Sequence, residues 1–337
     1  SPPSGSAHSS WAERLTAGGK DLLLQRWDSA GNLIWSKTWG GADDDSAEAV
    51  AFMQDAVYIV GNTKSFTDPN GDLLLLKYSP AGEVQWARTL GGNEAEVAKN
   101  MQAHWTLSAQ QTSLHITGNS RSYPVVGKAL LYARISEDGD AEAVSIWEGG
   151  DSQTGTCISV SGALPPSVYI GGQNDDGNIL LLEYSTLPGA VAKTWHAGDH
   201  QNLNELLRID SNLIACGSFG SGAQSSGLVI NFSLEGAVQG AEGRFNSGIN
   251  ILNDIDYISG FGIAGCGEAD FAEGGSWGAT AGSLAEIAGS WSVIADSTES
   301  VSGTTGNQSL APEEPVGAVI DEGGGGGDTF AFVRPAP

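Results

Sequence analysis

Four carboxylates stand close together in the segment ADDDSAE: Asp43, Asp44, Asp45 and Glu48. Calcium in proteins takes about six to eight oxygen ligands, and closely spaced carboxylates are its usual donors. The spacing differs from that of an EF-hand loop, so calcium is one interpretation of the segment. The other interpretation, which we favour, is a solvated loop between two strands. The sequence indicates no other cofactor.

Two histidines and one carboxylate fall close together in WHAGDH: His196, Asp199 and His200. They would suit zinc if they converged. However, the segment occupies the same position after a strand as TWGGADDD, which has no histidine, so we prefer a loop here too. The glycine run at 323–327 lacks the Gly-Lys-Ser/Thr of a phosphate-binding loop. The sequence therefore predicts no catalytic residue and favours a protein that is not an enzyme.

The charge balance narrows the possible partners. Among 337 residues there are 40 acidic and 15 basic ones, a formal net charge of −25. Nucleic acid and anionic lipid would meet like charge, so neither is an expected ligand. No apolar run approaches the roughly 20 residues that cross a bilayer, so no transmembrane segment is expected. A protein partner with a basic surface fits the charge best.

Three cysteines cannot form a disulfide framework. Cys216 in LIACGSF and Cys266 in GIAGCGE occupy matching strand positions, where a buried, small, apolar side chain is expected. We expect free buried thiols, although one bridge with Cys157 or between these two stays open.

A repeat runs through the chain. GNLIWSKTWGG at 31–41 and GEVQWARTLGG at 82–92 are the same phrase, 51 positions apart. Two interleaved markers each recur seven times, the last two copies of the second being degraded. The first marker is an apolar run that ends at Gly18, Gly61, Gly118, Gly172, Gly217, Gly267 and Gly306. The second is a strand followed by a turn at Gly31, Gly82, Gly139, Gly189 and Gly236, then at 277–286 and 316–324.

Each repeat reads as four short strands in about 48 residues, with alternating apolar and polar side chains. A lone four-stranded meander cannot bury both faces, and repeated meanders solve this by stacking around an axis. The prediction is an all-β protein, a seven-bladed β-propeller of four-stranded antiparallel blades over 9–337. We expect 1–8 to be a flexible N-terminal segment and 329–335 to be the last strand, close to the start. Recurring tryptophans are expected to fill the space between blades: Trp35, Trp86, Trp147 and Trp195.

Residues 40–92 resemble the SBBP-type β-propeller repeat of bacterial and some algal extracytoplasmic proteins. The counterparts of that pattern are the double glycine Gly40–Gly41, the segment 49–51, the strand 57–61 and the turn 79–82. The resemblance implies a propeller in an extracytoplasmic setting: secreted, cell-surface, periplasmic or in an organelle lumen. It supplies no catalytic residue, because the pattern of the family is structural.

Two functions fit these expectations. The first is a non-catalytic module for protein–protein interaction, a structural subunit of a larger extracytoplasmic assembly. The alternative is a carbohydrate-binding propeller, or a hydrolase or lyase, with its site at the central channel. Aromatic side chains beside paired carboxylates at one mouth of the channel would favour sugar chemistry, whereas exposed apolar side chains on a face or rim would favour a protein partner.

Overall fold

The protein is an all-β chain, seen here in a computed structural model that describes residues 19–66, 70–106, 110–122, 127–147, 152–161, 166–184, 191–196, 201–221, 224–245, 250–258, 262–269, 283–286, 290–294, 298–299, 316–317 and 330–333. Its strands are β1 Leu22–Trp27, β2 Leu33–Trp39, β3 Asp45–Met53, β4 Ala56–Thr63, β5 Asp72–Tyr78, β6 Val84–Leu90, β7 Glu96–Thr106, β8 Gln111–Ser120, β9 Ala129–Ser136, β10 Ala141–Trp147, β11 Gln153–Val160, β12 Val168–Asn174, β13 Ile179–Tyr184, β14 Val191–His196, β15 Gln201–Ile209, β16 Asn212–Ser221, β17 Gln224–Ser233, β18 Val238–Phe245, β19 Asn250–Ile258, β20 Gly262–Ala269, β21 Ser283–Glu286, β22 Ser290–Ile294, β23 Thr298–Glu299, β24 Val316–Gly317 and β25 Phe330–Val333. Within these ranges no helix spans a membrane.

Four consecutive segments of the chain fold into the predicted unit. β3–β6, β7–β10, β11–β14 and β15–β18 each form a meander in which every strand pairs antiparallel with the next. β19 and β20 form an antiparallel pair that corresponds to the first half of another unit. β1 and β2 correspond to the second half of a unit. The four-stranded meander read from the sequence is therefore confirmed for 45–245.

Successive meanders stack face to face, because each sheet carries apolar side chains on both of its faces and buries them against its neighbours. The first strands follow one another in space as in sequence, with β3 beside β7, β7 beside β11, β11 beside β15 and β15 beside β19. Buried side chains from neighbouring sheets meet in the layers between them, as Tyr58 and Leu75 do with Leu114 and Leu131. Burying such large apolar side chains stabilises each layer by about 1.5–3 kcal/mol per residue.

An extra residue interrupts the first strand at the same place in five sheets. The register shifts between Ala47 and Ala49, and between the corresponding residues of β7, β11, β15 and β19. This β-bulge bends the strand and changes which side chains face inward. It also explains the glycine of the first marker. At Gly61, the carbonyl oxygen of Ser46 fills the space that a Cβ would need, and the same crowding recurs at Gly118, Gly172 and Gly217.

The opening phrase of the repeat joins one sheet to the next. The indole Nε1 of Trp35 on β2 donates a 3.0 Å hydrogen bond to the carbonyl oxygen of Pro80, in the turn between β5 and β6. Arg26 donates to the same carbonyl oxygen. Trp195 and Trp147 occupy a different position along the fourth strand of their sheets. They lie opposite Ile179 and Leu130, away from the turn that joins the third and fourth strands. Trp147 is buried. The tryptophans thus recur at two strand positions, where the sequence had suggested one.

The C-terminal residues differ from the expected pattern. β21, β22 and β23 pair with β18, β14 and β10, at the outer edges of three meanders, and β24 pairs with β2. β25 lies beside β1 as expected, but the two strands are parallel, whereas neighbouring strands of a meander are antiparallel. Part of the degraded copy at 277–286 thus adds a strand to another sheet, and a seventh meander is not confirmed. Residues 1–8 and the glycine at 306 lie outside the described ranges.

Candidate functional site

The first strands of five sheets line a half-open cavity of about 410 Å³. β3, β7, β11, β15 and β19 each contribute, so the cavity lies where the inner edges of the stacked meanders meet. The polar side chains that line it are Glu48, Asn100, Gln102, Ser159, Glu205, Arg208 and Asp254. Partly exposed apolar residues such as Val50 and Leu207 complete the lining. The lining is more polar than that of a typical small-molecule site, which is mostly apolar.

The β-bulge selects which residues belong to this lining. The residue directly after each bulge is Ala49, Asn100, Cys157, Glu205 or Asp254, according to the strand. Three of these five side chains are polar and line the cavity. The bulge is present in all five sheets, but the residue that follows it differs from sheet to sheet. Different residues therefore determine the fold of the sheets and the chemistry of the cavity lining.

Glu205 is the most perturbed acid of the lining. Its Oε2 accepts a 3.1 Å hydrogen bond from Nδ2 of Asn100, and its Oε1 accepts one of 3.0 Å from the backbone N–H of Leu206. Burial, with a smaller contribution from the carboxylate of Asp254, raises the pKa of Glu205 to about 7, although the two hydrogen bonds act in the opposite direction. A carboxyl group with a pKa near neutrality changes protonation in the range where general acids and bases work.

Cys157 and Cys216 lie beside Glu205 as buried free thiols, as the sequence predicted. Burial raises the pKa of both thiols, that of Cys216 to about 12, and the charge of Glu205 acts in the same direction. They are therefore protonated, unreactive side chains at neutral pH. Cys266 on β20 is also free, as expected, but the expectation that it is buried was wrong, because it is exposed.

The acidic segment after β2 serves the backbone of its own loop. Oδ2 of the buried Asp45 accepts hydrogen bonds from the N–H of Gly41 at 2.9 Å and from the hydroxyl of Ser65 at 2.7 Å. Glu96 repeats this arrangement one sheet later, accepting from the N–H of Gly92 at 2.7 Å. The carboxylate therefore closes the loop that the double glycine opens.

The other three calcium candidates have separate surroundings. Asp44 accepts a 2.8 Å hydrogen bond from the N–H of Lys20, and Asp43 is exposed. Glu48 is the extra residue of its bulge and lines the cavity, where it accepts from Nδ2 of Asn62 at 2.9 Å. Across the described ranges, no three histidine, cysteine or acidic side chains are placed to share a metal ion. Calcium at this segment stays a hypothesis. Asp199 and His200 lie outside the described ranges.

A second polar group is buried between the β7–β10 and β11–β14 sheets. Nδ1 of His115 and the hydroxyl of Tyr132 are joined by a 2.9 Å hydrogen bond, and the ring of Tyr132 lies 4.3 Å from that of Tyr184. His104 is also buried, its ring centroid 6.1 Å from that of His115. Burial lowers the pKa of His115 to about 3, with the charges of His104 and Arg134 as smaller causes. The network is neutral at physiological pH and serves packing.

Sequence reasoning missed Glu205, Asn100 and Asp254. Each of them directly follows a bulge, and each bulge lies opposite the marker glycine of the neighbouring strand. A fixed spacing from that glycine is therefore the sequence signal that could have located them. Comparison of the chain with protein-family models and with curated proteins finds no match.

Proposed function

We propose that this chain is a seven-bladed β-propeller of the SBBP type that acts as a non-catalytic docking subunit in an extracytoplasmic assembly. The support for the ring is the stacking of consecutive four-stranded meanders around a shared cavity. Five consecutive sheets with the same bulge and the same stacking are what a propeller repeat requires. The seventh blade and the closure of the ring belong to this proposal.

The observation that supports the docking role is that the repeated polar side chains form hydrogen bonds within the fold, to the backbone of turns and loops. Trp35 binds the turn of the next sheet, and Asp45 and Glu96 bind the double-glycine loops. The repeated residues thus serve to stack the sheets and to close their loops. The chain as a whole is acidic, with a formal net charge of −25. Such a surface attracts a basic partner by long-range steering.

Exposed apolar side chains on the hairpin ends give the partner a contact. Phe52 near the end of β3 and Tyr257 near the end of β19 occupy the same place in their repeats, 40% and 47% exposed. We infer that both side chains belong to one docking face, since exposed apolar patches mark sites of protein interaction. We therefore place the partner on the face formed by the first hairpin of each sheet.

The test is native purification with mass spectrometry of the co-purifying chains, on the wild type and on the double variant Phe52→Ser with Tyr257→Ser. We expect one stoichiometric basic partner with the wild type, and its loss with the variant. Glu94→Gln, which changes an exposed loop on the opposite end of the sheets, is the control and should keep the partner. A wild-type chain that purifies alone as a monomer would overturn the proposal.

The alternative function, sugar binding or cleavage, would use the cavity. Glu205 with a pKa of about 7 near Asp254 is the observation in its favour. A sugar site also needs an aromatic platform, and the described residues that line the cavity include none. Turnover of an oligosaccharide by the wild type, lost in Glu205→Gln, would promote this alternative over the docking role.

A further inference from the structure

We propose that the cavity between β3, β7, β11, β15 and β19 binds a small organic molecule that carries a primary ammonium group. The inference concerns the inner strands alone, and it holds whether or not the outer face docks a partner. Three features of the cavity carry it: the balance of its charges, its volume, and the way in which its central carboxylate is held.

The charges of the lining favour a cation. Three carboxylates face the cavity, those of Glu48, Glu205 and Asp254, and one guanidinium, that of Arg208. Nε of Arg208 donates a 3.2 Å hydrogen bond to the backbone carbonyl of Asp210, in the turn that follows its own strand. An ammonium group offers three N–H donors, and β3, β15 and β19 each present one carboxylate to the cavity that can accept from it.

The volume excludes a bare metal ion as the natural occupant. The cavity of about 410 Å³ falls in the range of roughly 300–1,000 Å³ that small-molecule sites occupy. Calcium requires ligands at about 2.3–2.6 Å on all sides. Nowhere in the described part of the chain do three suitable side chains approach one another in that way. An organic cation fills the space and needs only one or two carboxylate contacts.

The carboxylate at the centre is held in place before a ligand enters. Asn100 holds one oxygen of Glu205 and the N–H of Leu206 holds the other, so each oxygen keeps a further acceptor site. Ala49, Val50 and Leu207, all partly exposed, supply the apolar part of the lining around it. A short methylene chain with an ammonium end would lie beside these residues, as in an aliphatic diamine.

Binding of a cation should depend on pH through Glu205. The groups that face it are Asn100 on β7, Cys157 on β11, Asp254 on β19 and Cys216 on β16, with Glu48 and Arg208 across the same cavity. Its pKa of about 7 means that the carboxylate is mostly protonated below neutrality. If the ionised form alone binds the ammonium group, affinity rises about tenfold from about pH 6 to about pH 8.

The experiment is isothermal titration of the full chain with 1,4-diaminobutane at both pH values. We expect saturable binding of one diamine per chain, about tenfold tighter at the higher pH. Glu205→Gln should weaken binding at least tenfold and remove the pH dependence. Glu94→Gln removes one exposed negative charge outside the cavity and should leave both unchanged. 1,4-Butanediol, which has the same chain without charge, should not bind.

Three results would overturn the proposal. They are the absence of saturable binding, equal weakening by Glu205→Gln and Glu94→Gln, and equal affinity for the diamine and the diol. Equal weakening would mean that the acidic surface collects the diamine without a site. Thermal unfolding of Glu205→Gln accompanies the titration, so that loss of binding by a correctly folded variant is distinguished from loss of the fold. Preference for an oligosaccharide over the diamine would assign the cavity to sugars.

Discussion

The indole Nε1 of Trp86 on β6 donates a 3.1 Å hydrogen bond to the backbone carbonyl of Glu137, in the turn of the following sheet. Nζ of Lys77 donates to the same oxygen at 3.0 Å. Trp35 and Arg26 make the equivalent pair of contacts with Pro80 one sheet earlier. A tryptophan of one repeat therefore fixes the turn of the next, which is why the phrase that contains it recurs in the sequence.

Removing this hydrogen bond should loosen the stacking of two sheets. Trp86→Phe keeps most of the ring and loses the N–H, so we expect a loss of about 0.5–1.5 kcal/mol in the free energy of unfolding, measured with urea. Trp86→Ala also loses the packing and should cost about 3–5 kcal/mol. An equal cost for the two variants would show that the hydrogen bond contributes nothing.

The glycine opposite the bulge should not tolerate a side chain. Gly118→Ala places a methyl group where the carbonyl oxygen of Val97 lies, and we expect a loss of about 2–3 kcal/mol in unfolding free energy. Gly240→Ala is the matched control, because nothing lies within 4 Å of the added methyl group. The control should be neutral or slightly stabilising. If both variants unfold at the same urea concentration, the crowding is not real.

His115 should oppose folding in acid. Its pKa is about 3 in the folded protein and about 6.5 in the unfolded chain, so the unfolded chain binds the proton first. Its contribution to stability is full above about pH 6.5, declines as pH falls, and is gone below about pH 3. His115→Gln should therefore reduce the loss of stability between about pH 6.5 and about pH 4, measured by urea unfolding. An unchanged slope would contradict the shift.

Glu205 should act in the opposite direction. Its folded pKa of about 7 lies above that of the unfolded chain, about 4.3, so the folded state prefers the protonated form. The contribution of Glu205 to the free energy of unfolding is full below about pH 4.3 and is lost as pH rises through about 7. Glu205→Gln should stabilise the protein by about 3–4 kcal/mol near pH 8 and by almost nothing near pH 4. Equal effects at both pH values would mean that burial does not perturb this carboxyl group.

Chelation should leave the acidic segment unaffected. The carboxylate of Asp45 is already hydrogen-bonded to Gly41 and Ser65, so we expect the same melting temperature in EDTA and in calcium. Asp45→Asn should nevertheless cost about 1–2 kcal/mol, because it weakens a charge-assisted bond to the backbone. A melting temperature that rises with calcium in the wild type, and not in Asp45→Asn, would restore the calcium hypothesis.

The sequence was informative about the framework because the framework repeats. The glycines at 61 and 118, the turn glycines and the strand alternation each recur, and the antiparallel meanders of 45–245 follow from them. Residues after 270 carry the markers only faintly, and the strands described there include single strands at the edges of other sheets, so the expected meander is not confirmed.

The repeat pattern did not predict the residues of the candidate site. The β-bulge adds one residue that alternation alone does not reveal, and it reverses which side chains face inward beyond it. The residue after the bulge varies among alanine, asparagine, cysteine, glutamate and aspartate, so no periodicity of residue type marks Glu205 and Asn100. Their proximity depends on how the sheets are arranged around the cavity, because the two residues are 105 positions apart in sequence and the β11–β14 sheet lies between their own sheets.

The bulge has a consequence for how such a protein changes over time. Because the crowded glycine and the tryptophan hold the sheets, a substitution directly after the bulge alters the inner wall with little effect on the assembly of the sheets. Four of the five positions, those of Ala49, Asn100, Glu205 and Asp254, stand around one space, each on a different strand, whereas Cys157 is buried between two sheets. The same scaffold can therefore acquire new ligands through single substitutions, without rebuilding the parts that hold it together.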